Sequence, residues 1–419
     1  MIKFIITKIK DNRVLKNIFN LSILQVVSAL LSLGLIPLLA KILEPKIFGL
    51  VMFIHLITNY FIWFVDWGFS QGGTQKVASI RSNLPHLSKI FNQIYTAQLF
   101  LIGISIIPLL LSFIFFQFKY QFEHQLIVVI IGYFILSSCM PIWFLNGLER
   151  VTFALLVQIY PKFIAIISVF LIIKSPNDYM YYFYALNLGL IIANFHIFFV
   201  IRKDHQITFN FADPFLQLKN NFNYFITSFT KTLGNNIIPF FLGIFTSIEL
   251  FGIYSLADKI KGAVLIILNP IFQSVFPRMC NVVNQKSYKS YLKKYSIIIL
   301  TINIILAICI YLLIELIIKS YIGLEYQLSS TLVKLMIPSI FLSSILSIIF
   351  YFILIPFDAS NSLMKISIFQ FFLILLMAPL VINIFDIYGA IISLTMSELF
   401  LVIFYLFIIT KKKLLKNGN

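Results

Sequence analysis

Apolar runs of about 20 residues recur along the whole sequence, and they constrain the fold more than any other feature. Each run has few charges and is long enough to cross roughly 30 Å of hydrocarbon as a helix. In lipid every backbone polar group needs an internal partner, so such runs form helices. The composition agrees, because 60% of the residues are hydrophobic, only 11% are charged and the mean hydropathy is +0.97. The sequence therefore predicts an all-α integral membrane protein without a separate soluble domain.

We predict about twelve transmembrane helices. Their expected positions are near 19–40, 48–68, 90–116, 126–146, 152–173, 180–201, 222–245, 250–276, 296–318, 331–355, 365–384 and 387–410. The first helix follows a basic stretch, and its apolar run is longer than the core of a signal peptide. We expect it to remain as an uncleaved membrane helix.

The distribution of Lys and Arg predicts the orientation in the membrane. About 22 of the 32 cations fall in alternate loops that include both chain ends, whereas about five fall in the other set of loops. The cation-rich loops are the N-terminal tail, 69–89, 147–151, 202–221, 277–295, 356–365 and 411–419. Cationic loops stay on the cytoplasmic side, so both termini are predicted to be cytoplasmic. The same rule accounts for the net charge of +17 without a nucleic-acid partner.

The sequence lacks several functional motifs, and their absence excludes or disfavours several classes of protein. No Gly-Lys dipeptide occurs, so the chain has no Walker A loop for ATP. The loops lack a closely spaced acid pair for a divalent cation, and three scattered Cys residues give neither a disulfide framework nor metal-ligand spacing. We therefore expect no metal and no cofactor, which leaves transport or an intramembrane enzyme.

Two segments of the chain resemble each other and suggest a repeat. "LIPLLAKILEPKIFGLVMF" (35–53) and "IIPFFLGIFTSIELFGIYSL" (237–256) share an Ile-Pro, a polar break and a Phe-Gly before a new apolar helix. Pro37 matches Pro239, and Gly49 matches Gly252. A basic loop at 202–221 separates the two halves, so we predict a six-helix N-terminal lobe at 1–210 and a six-helix C-terminal lobe at 211–419. Parallel repeats of this kind usually enclose a cavity.

Three charged residues are expected near the centre of a span: Lys162, Lys231 and Glu398. A charge at this depth costs about 2.5–3.5 kcal/mol on insertion scales, so it normally faces a cavity or a partner. One reading is that either lysine pairs with Glu398 or with a backbone carbonyl and only ties helices together. The other reading is that the lysines line a binding cavity.

Polar residues at helical spacing favour a lined cavity. Such residues recur at intervals of three, four or seven along four of the predicted helices, which places them on one face of each. They are Gln25, Ser28 and Ser32 in the first helix, His55, Asn59 and Asp66 in the second, Tyr224, Ser228, Lys231 and Asn235 in the seventh, and Ser255, Asp258, Gly262, Asn269 and Gln273 in the eighth. Polar stripes also act as contacts between helices. Because the polar stripes occur on several helices together with cations, they indicate a water-filled cavity.

The eighth helix begins with an unusual cluster of charges, Asp258, Lys259 and Lys261. Asp258 and Lys261 are three residues apart and can neutralise each other, while Lys259 can extend its ammonium group toward the interface. Alternatively, Lys259 and Lys261 join Lys162 and Lys231 in a cationic wall. A cationic wall in an apolar protein predicts an anionic ligand such as a phosphate. Asp258 and Glu398 are candidates for ion coupling, since burial can shift a carboxylate pKa into the working range.

The two repeat segments, together with "DWGFSQGGTQKVASIR" (66–81), resemble polysaccharide repeat-unit flippases. These are the Wzx-type O-antigen transporters of the multidrug/oligosaccharidyl-lipid/polysaccharide exporter superfamily. The resemblance extends over essentially the whole chain. It implies a V-shaped pair of six-helix bundles in the bacterial inner membrane.

The resemblance also implies a function. An undecaprenyl-diphosphate-linked oligosaccharide would be carried from the cytoplasmic to the periplasmic leaflet by alternating access, coupled to an ion gradient. Membrane lipid, a polysaccharide polymerase and a chain-length regulator of the same pathway are the expected partners. Two alternatives stay open: an ion-coupled multidrug exporter of the same superfamily, and an intramembrane polysaccharide polymerase or ligase.

Overall fold

The computed structural model describes the backbone of residues 13–81, 83–205, 207, 209–283, 285–357 and 360–411. Within this part of the chain the regular structure is helical and contains no strand. The α-helices are α1 Arg13–Asp66, α2 Phe69–Ile80, α3 Leu84–Tyr120, α4 His124–Ser138, α5 Ile142–Gly147, α6 Val151–Leu171, α7 Tyr179–His205, α8 Phe215–Phe245, α9 Ile248–Val282, α10 Tyr288–Ile317, α11 Gln327–Leu335, α12 Ile337–Ile348 and α13 Ser360–Lys411. Short 3₁₀ turns cover Pro176–Asp178 and Leu324–Tyr326, and short π-helical turns cover Ile318–Ile322 and Ile349–Leu354. The predicted all-α class is confirmed.

Nine helical segments of the described chain are long and apolar enough to cross a membrane. Two of them, in α1 and α13, contain a residue with non-helical backbone angles, and counting each as two spans gives eleven. Helix α8 has 31 residues and a shorter apolar part at Asn236–Phe245, and it makes the twelfth. This count agrees with the prediction of about twelve spans.

The breaks in α1 and α13 lie where the sequence predicts boundaries between spans. Glu44 has φ 58° and ψ 163°, and Asp386 has φ 53° and ψ −133°. At the second break the chain turns back on itself, because a Cβ added to Gly389 would lie 2.4 Å from the carbonyl oxygen of Val381. Residues eight apart in a straight helix would be roughly 12 Å apart along the axis. Each break therefore separates two predicted spans.

The described chain folds into two compact units. The first comprises the described residues up to Ile42 together with Ile54–Phe229, and the second comprises Leu43–Phe53 together with the described residues from Thr230 onward. The division into a six-helix lobe at 1–210 and another at 211–419 stays a prediction from the sequence. The compact units differ from those halves, because an eleven-residue piece of the N-terminal half folds within the second unit.

In the first unit, the N-terminal part of α8 is attached to α2 and to the turn that precedes α2. The ring of Trp67 stacks on Phe225 with centroids 4.0 Å apart, and its indole Nε1 donates a hydrogen bond of 2.9 Å to the carbonyl of Leu218. A Cβ added to Gly72 would lie 2.0 Å from Oδ1 of Asn221. The glycines of the "DWGFSQGGTQKVASIR" segment thus permit α8 to pack closely against α2.

In the second unit, the two Phe-Gly pairs of the sequence repeat pack against each other. A Cβ added to Gly49 would lie 2.0 Å from the carbonyl oxygen of Ile248, and one added to Gly252 would lie 2.1 Å from that of Pro45. Ile248 lies four residues before Gly252, and Pro45 lies four residues before Gly49. Each glycine therefore meets the equivalent carbonyl of the other segment, and the contact is two-fold symmetric. Because no side chain fits between the two segments, only glycine is compatible with this crossing. We call it the glycine crossing.

Aromatic side chains surround the glycine crossing. Phe53 contacts Phe251 edge to face with ring centroids 5.4 Å apart, and Phe48 contacts Tyr326 in the same way at 6.0 Å. These four side chains are nearly or fully buried. The repeat seen in the sequence therefore has a packing role in the second unit.

Candidate functional site

A lysine on α6 and a serine on α1 form the central polar contact of the first unit. Lys162 lies eleven residues after Val151 and nine before Leu171, so it is close to the middle of its helix. Its ammonium group is half-buried and donates a hydrogen bond of 2.9 Å to Oγ of Ser28. Ser32 donates in turn to the carbonyl of Ser28 at 3.0 Å. The polar stripe of the first predicted helix and the mid-span lysine therefore meet.

The hydrogen-bond partner of Lys162 is neutral, so it does not balance the positive charge of the lysine. A serine hydroxyl satisfies one of the three donors of an ammonium group and does not cancel its charge. Within the described chain, no carboxylate forms an ion pair with Lys162. The positive charge of Lys162 is therefore left uncompensated at mid-depth, where attraction for an anion is stronger than in water.

A second polar cluster lies in the second unit and is electrically balanced. Nζ of Lys261 on α9 lies 3.2 Å from Oε1 of Glu398 on α13. The hydroxyl of Ser343 donates to the same oxygen at 2.7 Å, and that of Ser339 donates to Oε2 at 2.5 Å. The side chains of Lys261 and Glu398 are only 7% and 10% exposed. Three donors thus hold the buried carboxylate.

This pairing differs from those considered from the sequence. Spacing alone allowed Lys261 to pair with Asp258 on its own helix, and allowed Glu398 to pair with Lys162 or Lys231. In the structure Lys261 pairs with Glu398 across two helices. Asp258 is half-buried instead.

Ser339 and Ser343 were missed by the sequence analysis. They lie four residues apart on α12, so both face the same side of that helix. Their spacing was available in the sequence, but a pair of serines on an apolar helix is common and usually bonds to its own backbone. Only the position of Glu398 makes these two hydroxyls part of a cluster.

His55 of the first unit lies in an aromatic cage. Its Nε2 lies 3.1 Å from the hydroxyl oxygen of Tyr182, and its ring packs against Tyr133, Tyr182 and Phe183. Asp66 makes a local contact at the end of α1, where Oδ1 accepts from the hydroxyl of Ser70 at 2.5 Å and from its backbone N–H at 3.3 Å. The two ends of the predicted stripe on the second span therefore have different partners, since His55 contacts residues of α4 and α7 and Asp66 contacts the nearby Ser70.

The remaining residues that were predicted to line a cavity differ in their burial. Asn59 and Ser228 are half-buried, and Ser255 is buried within α9. Lys259, Asn269 and Gln273 are exposed on α9. The side chains of Gln25, Lys231 and Asn235 lie outside the described residues. In the part of the chain that is described, no three His, Cys, Asp or Glu side chains come together in a way that could hold a metal ion.

Comparison with known proteins identifies a family and two similar proteins. Residues 14–283 match the model of a family described as "Polysaccharide biosynthesis protein". A protein of Shigella dysenteriae named "Putative O-antigen transporter" is 24% identical over 401 residues, which cover 93% of this chain and 98% of that protein. A protein of Escherichia coli K12 with the same name is 23% identical over 405 residues, which cover 96% and 97%.

Solved structures with the same fold belong to one transporter superfamily. An inward-facing multidrug resistance transporter of the MATE family and the MOP superfamily aligns with a TM-score of 0.70 and 13% identity over 96% of this chain and 98% of that one. The lipid II flippase MurJ in an inward closed conformation aligns with a TM-score of 0.69 and 15% identity over 95% and 89%. The predicted exporter-superfamily fold is therefore confirmed.

Proposed function

Because this chain belongs to the polysaccharide biosynthesis protein family, we propose that it flips a lipid-linked oligosaccharide across the bacterial inner membrane. The proposed substrate is an undecaprenyl-diphosphate-linked repeat unit, and the proposed direction is from the cytoplasmic to the periplasmic leaflet. The names of the two relatives and of the lipid II flippase support a substrate of this class. Both termini are proposed to be cytoplasmic, on the evidence of the basic loops.

The observation that supports this substrate best is the uncompensated charge of Lys162. A diphosphate brings negative charge into the membrane and needs a cation there. Lys162 offers an ammonium group whose contact is a neutral hydroxyl, whereas Lys261 is already paired with a carboxylate. Lys162 is therefore proposed as the principal diphosphate ligand, and a role of Lys231 and Lys259 in substrate binding stays a prediction from the sequence.

A rescue experiment tests this proposal. The gene is deleted in its host, and surface polysaccharide and the leaflet position of the lipid-linked oligosaccharide are measured after complementation with the wild type or a variant. Lys162→Ala should insert normally but fail to restore surface polysaccharide, and Lys162→Arg should restore part of it because the charge remains. Lys174→Ala is the matched control, since Lys174 is exposed beyond the end of α6.

The possible results separate the candidate functions. Full rescue by Lys162→Ala would remove the cationic site from the proposal. If the wild type conferred resistance to cationic dyes and had no effect on glycan, a multidrug exporter would be favoured. If the purified wild type made long glycan polymers in vitro, an intramembrane polymerase would be favoured.

Ion coupling is proposed at Glu398. Protonation of this carboxylate would remove the charge that holds Lys261, so proton binding and the position of α9 would be linked. Uptake of lipid-linked oligosaccharide into proteoliposomes should lose its dependence on pH in Glu398→Gln. Asp258→Asn is tested beside it, because Asp258 is the other carboxylate that the sequence predicts as a candidate for ion coupling. Unchanged pH dependence in both variants would exclude coupling through this cluster.

A further inference from the structure

An aromatic cleft of about 400 Å³ lies in the first unit, at the end where α7 stops and α3 starts. Phe91 and Tyr95 of α3 form one wall, and residues near the end of α7 form another. Ile207 and Phe209, which follow α7, form the third wall. The described residues that line the cleft are Phe91, Tyr95, Phe198, Ile201, Arg202, Ile207 and Phe209. We call this feature the Arg202 cleft.

The segment that closes the Arg202 cleft is held by side chains of α3. The backbone N–H of Asn210 donates to Oδ1 of Asn92 at 3.2 Å, and that of Ala212 donates to Oγ1 of Thr96 at 3.2 Å. The ring of Phe209 meets Tyr95 at right angles with centroids 5.5 Å apart. These contacts keep the third wall in place, so the cleft is a built part of the fold.

Arg202 is the one charged residue in the lining, and its charge is not compensated within the described chain. The other arginines at this end of the unit are paired, Arg150 with Asp204 at 2.5 Å and Arg81 with Glu149. Arg202 itself is exposed. Its guanidinium fork is suited to bidentate contact with a phosphate.

The position of the cleft indicates what kind of phosphate fits it. Arg202 lies three residues before the end of α7, and Phe91 lies seven residues after the start of α3, so the cation is nearer to the helix ends than the aromatic wall is. A ligand for this arrangement has a charged head and an apolar tail. The cleft volume is within the range of small-ligand sites.

We propose that the Arg202 cleft binds one anionic phospholipid, with the phosphate on the guanidinium of Arg202 and the start of an acyl chain against Tyr95 and Phe209. A headgroup with net negative charge is favoured over a zwitterionic one because no carboxylate of the lining could hold a second, positive headgroup charge. The bound lipid would connect α3, α7 and the segment that precedes α8. This site does not depend on which molecule the protein transports.

Native mass spectrometry of the full-length protein tests the proposal. The protein is exchanged into detergent with added phosphatidylglycerol or phosphatidylcholine, and the retained lipid per protein is measured. One phosphatidylglycerol should be retained by the wild type in preference to phosphatidylcholine. Arg202→Gln should weaken this retention about tenfold or more, because the charge-assisted hydrogen bonds to the phosphate are lost.

Two further variants make the result specific. Lys203→Gln removes an adjacent exposed cation that does not line the cleft, and it should retain phosphatidylglycerol as the wild type does. Phe209→Ala leaves the charge and opens the apolar wall, so it should also lose lipid. Equal retention by Arg202→Gln and the wild type, or equal retention of the two lipids, would overturn the proposal.

Discussion

Lys162 and Lys261 show that two lysines on apolar helices can have opposite electrostatic situations. Lys261 has a buried carboxylate partner, and Lys162 has a hydroxyl. The first arrangement is internally neutral, so it fixes three helices without attracting an ion. The second keeps its charge available. At the scale of the residue, the two lysines therefore differ in the charge of their partner and not in residue type.

The buried pair should behave as one unit in a double-mutant cycle. Removing one partner of a buried pair leaves an uncompensated charge and typically costs about 3–5 kcal/mol, whereas removing both can be close to neutral. We expect Lys261→Met and Glu398→Gln each to lower the thermal unfolding temperature of the detergent-solubilised protein. The double variant should unfold at a higher temperature than either single variant. If the two losses simply added, the ion pair would be energetically unimportant.

Helical periodicity predicted the polar faces, but it could not identify their partners. The spacing of Ser28 and Ser32 placed both on one side of a helix, and the structure brings that side to Lys162. The contact of Lys261 with Glu398 joins residues 137 positions apart. Periodicity states which residues share a face and contains no information about which helix lies opposite, so Asp258 was the natural partner from sequence alone.

At the scale of the element, small residues decide where helices approach most closely. The glycine crossing brings the segments around Gly49 and Gly252 to a separation that excludes even one methyl group. The sequence showed the repeat of Ile-Pro and Phe-Gly and placed both pairs at the start of a new span. It could not show that the two copies contact each other, because two segments with similar sequences need not lie close together in the folded chain.

A pair of glycine substitutions on the same helix tests the crossing. Gly252→Ala would place a methyl group 2.1 Å from the carbonyl of Pro45, whereas Gly262→Ala meets nothing within 4 Å. Alanine favours a helix by up to about 1 kcal/mol over glycine, so Gly262→Ala should be neutral or stabilising. Gly252→Ala should destabilise by about 1–3 kcal/mol through overpacking. Thermal unfolding in detergent measures both, and equal behaviour of the two variants would contradict the close contact.

At the scale of the whole molecule, the chain does not divide into two consecutive pieces. It enters the second unit at Leu43, returns to the first at Ile54 and enters the second again at Thr230. The sequence predicted two consecutive halves because the basic loop at 202–221 and the count of helices both favoured a single boundary. The second unit contains a segment that a boundary at 210/211 would assign elsewhere.

A split chain tests this arrangement. The fragment 211–419 expressed alone lacks Leu43–Phe53, so it should be proteolysed or elute as an aggregate from detergent. Co-expression with fragment 1–210 should restore a monodisperse, protease-resistant complex. The same co-expression with Gly49→Ala in the first fragment should restore less. A stable and monodisperse fragment 211–419 would show that Leu43–Phe53 is dispensable to the second unit.

The glycine crossing also has a consequence for the order of events during synthesis. Gly49 leaves the ribosome 203 residues before Gly252, and at about 5–20 residues per second this interval is roughly 10–40 s. During that time the helix face that carries Gly49 has no partner from the second copy of the repeat and must be covered by lipid or by the insertion machinery. Completion of the second unit is therefore delayed until long after its first segment has entered the membrane.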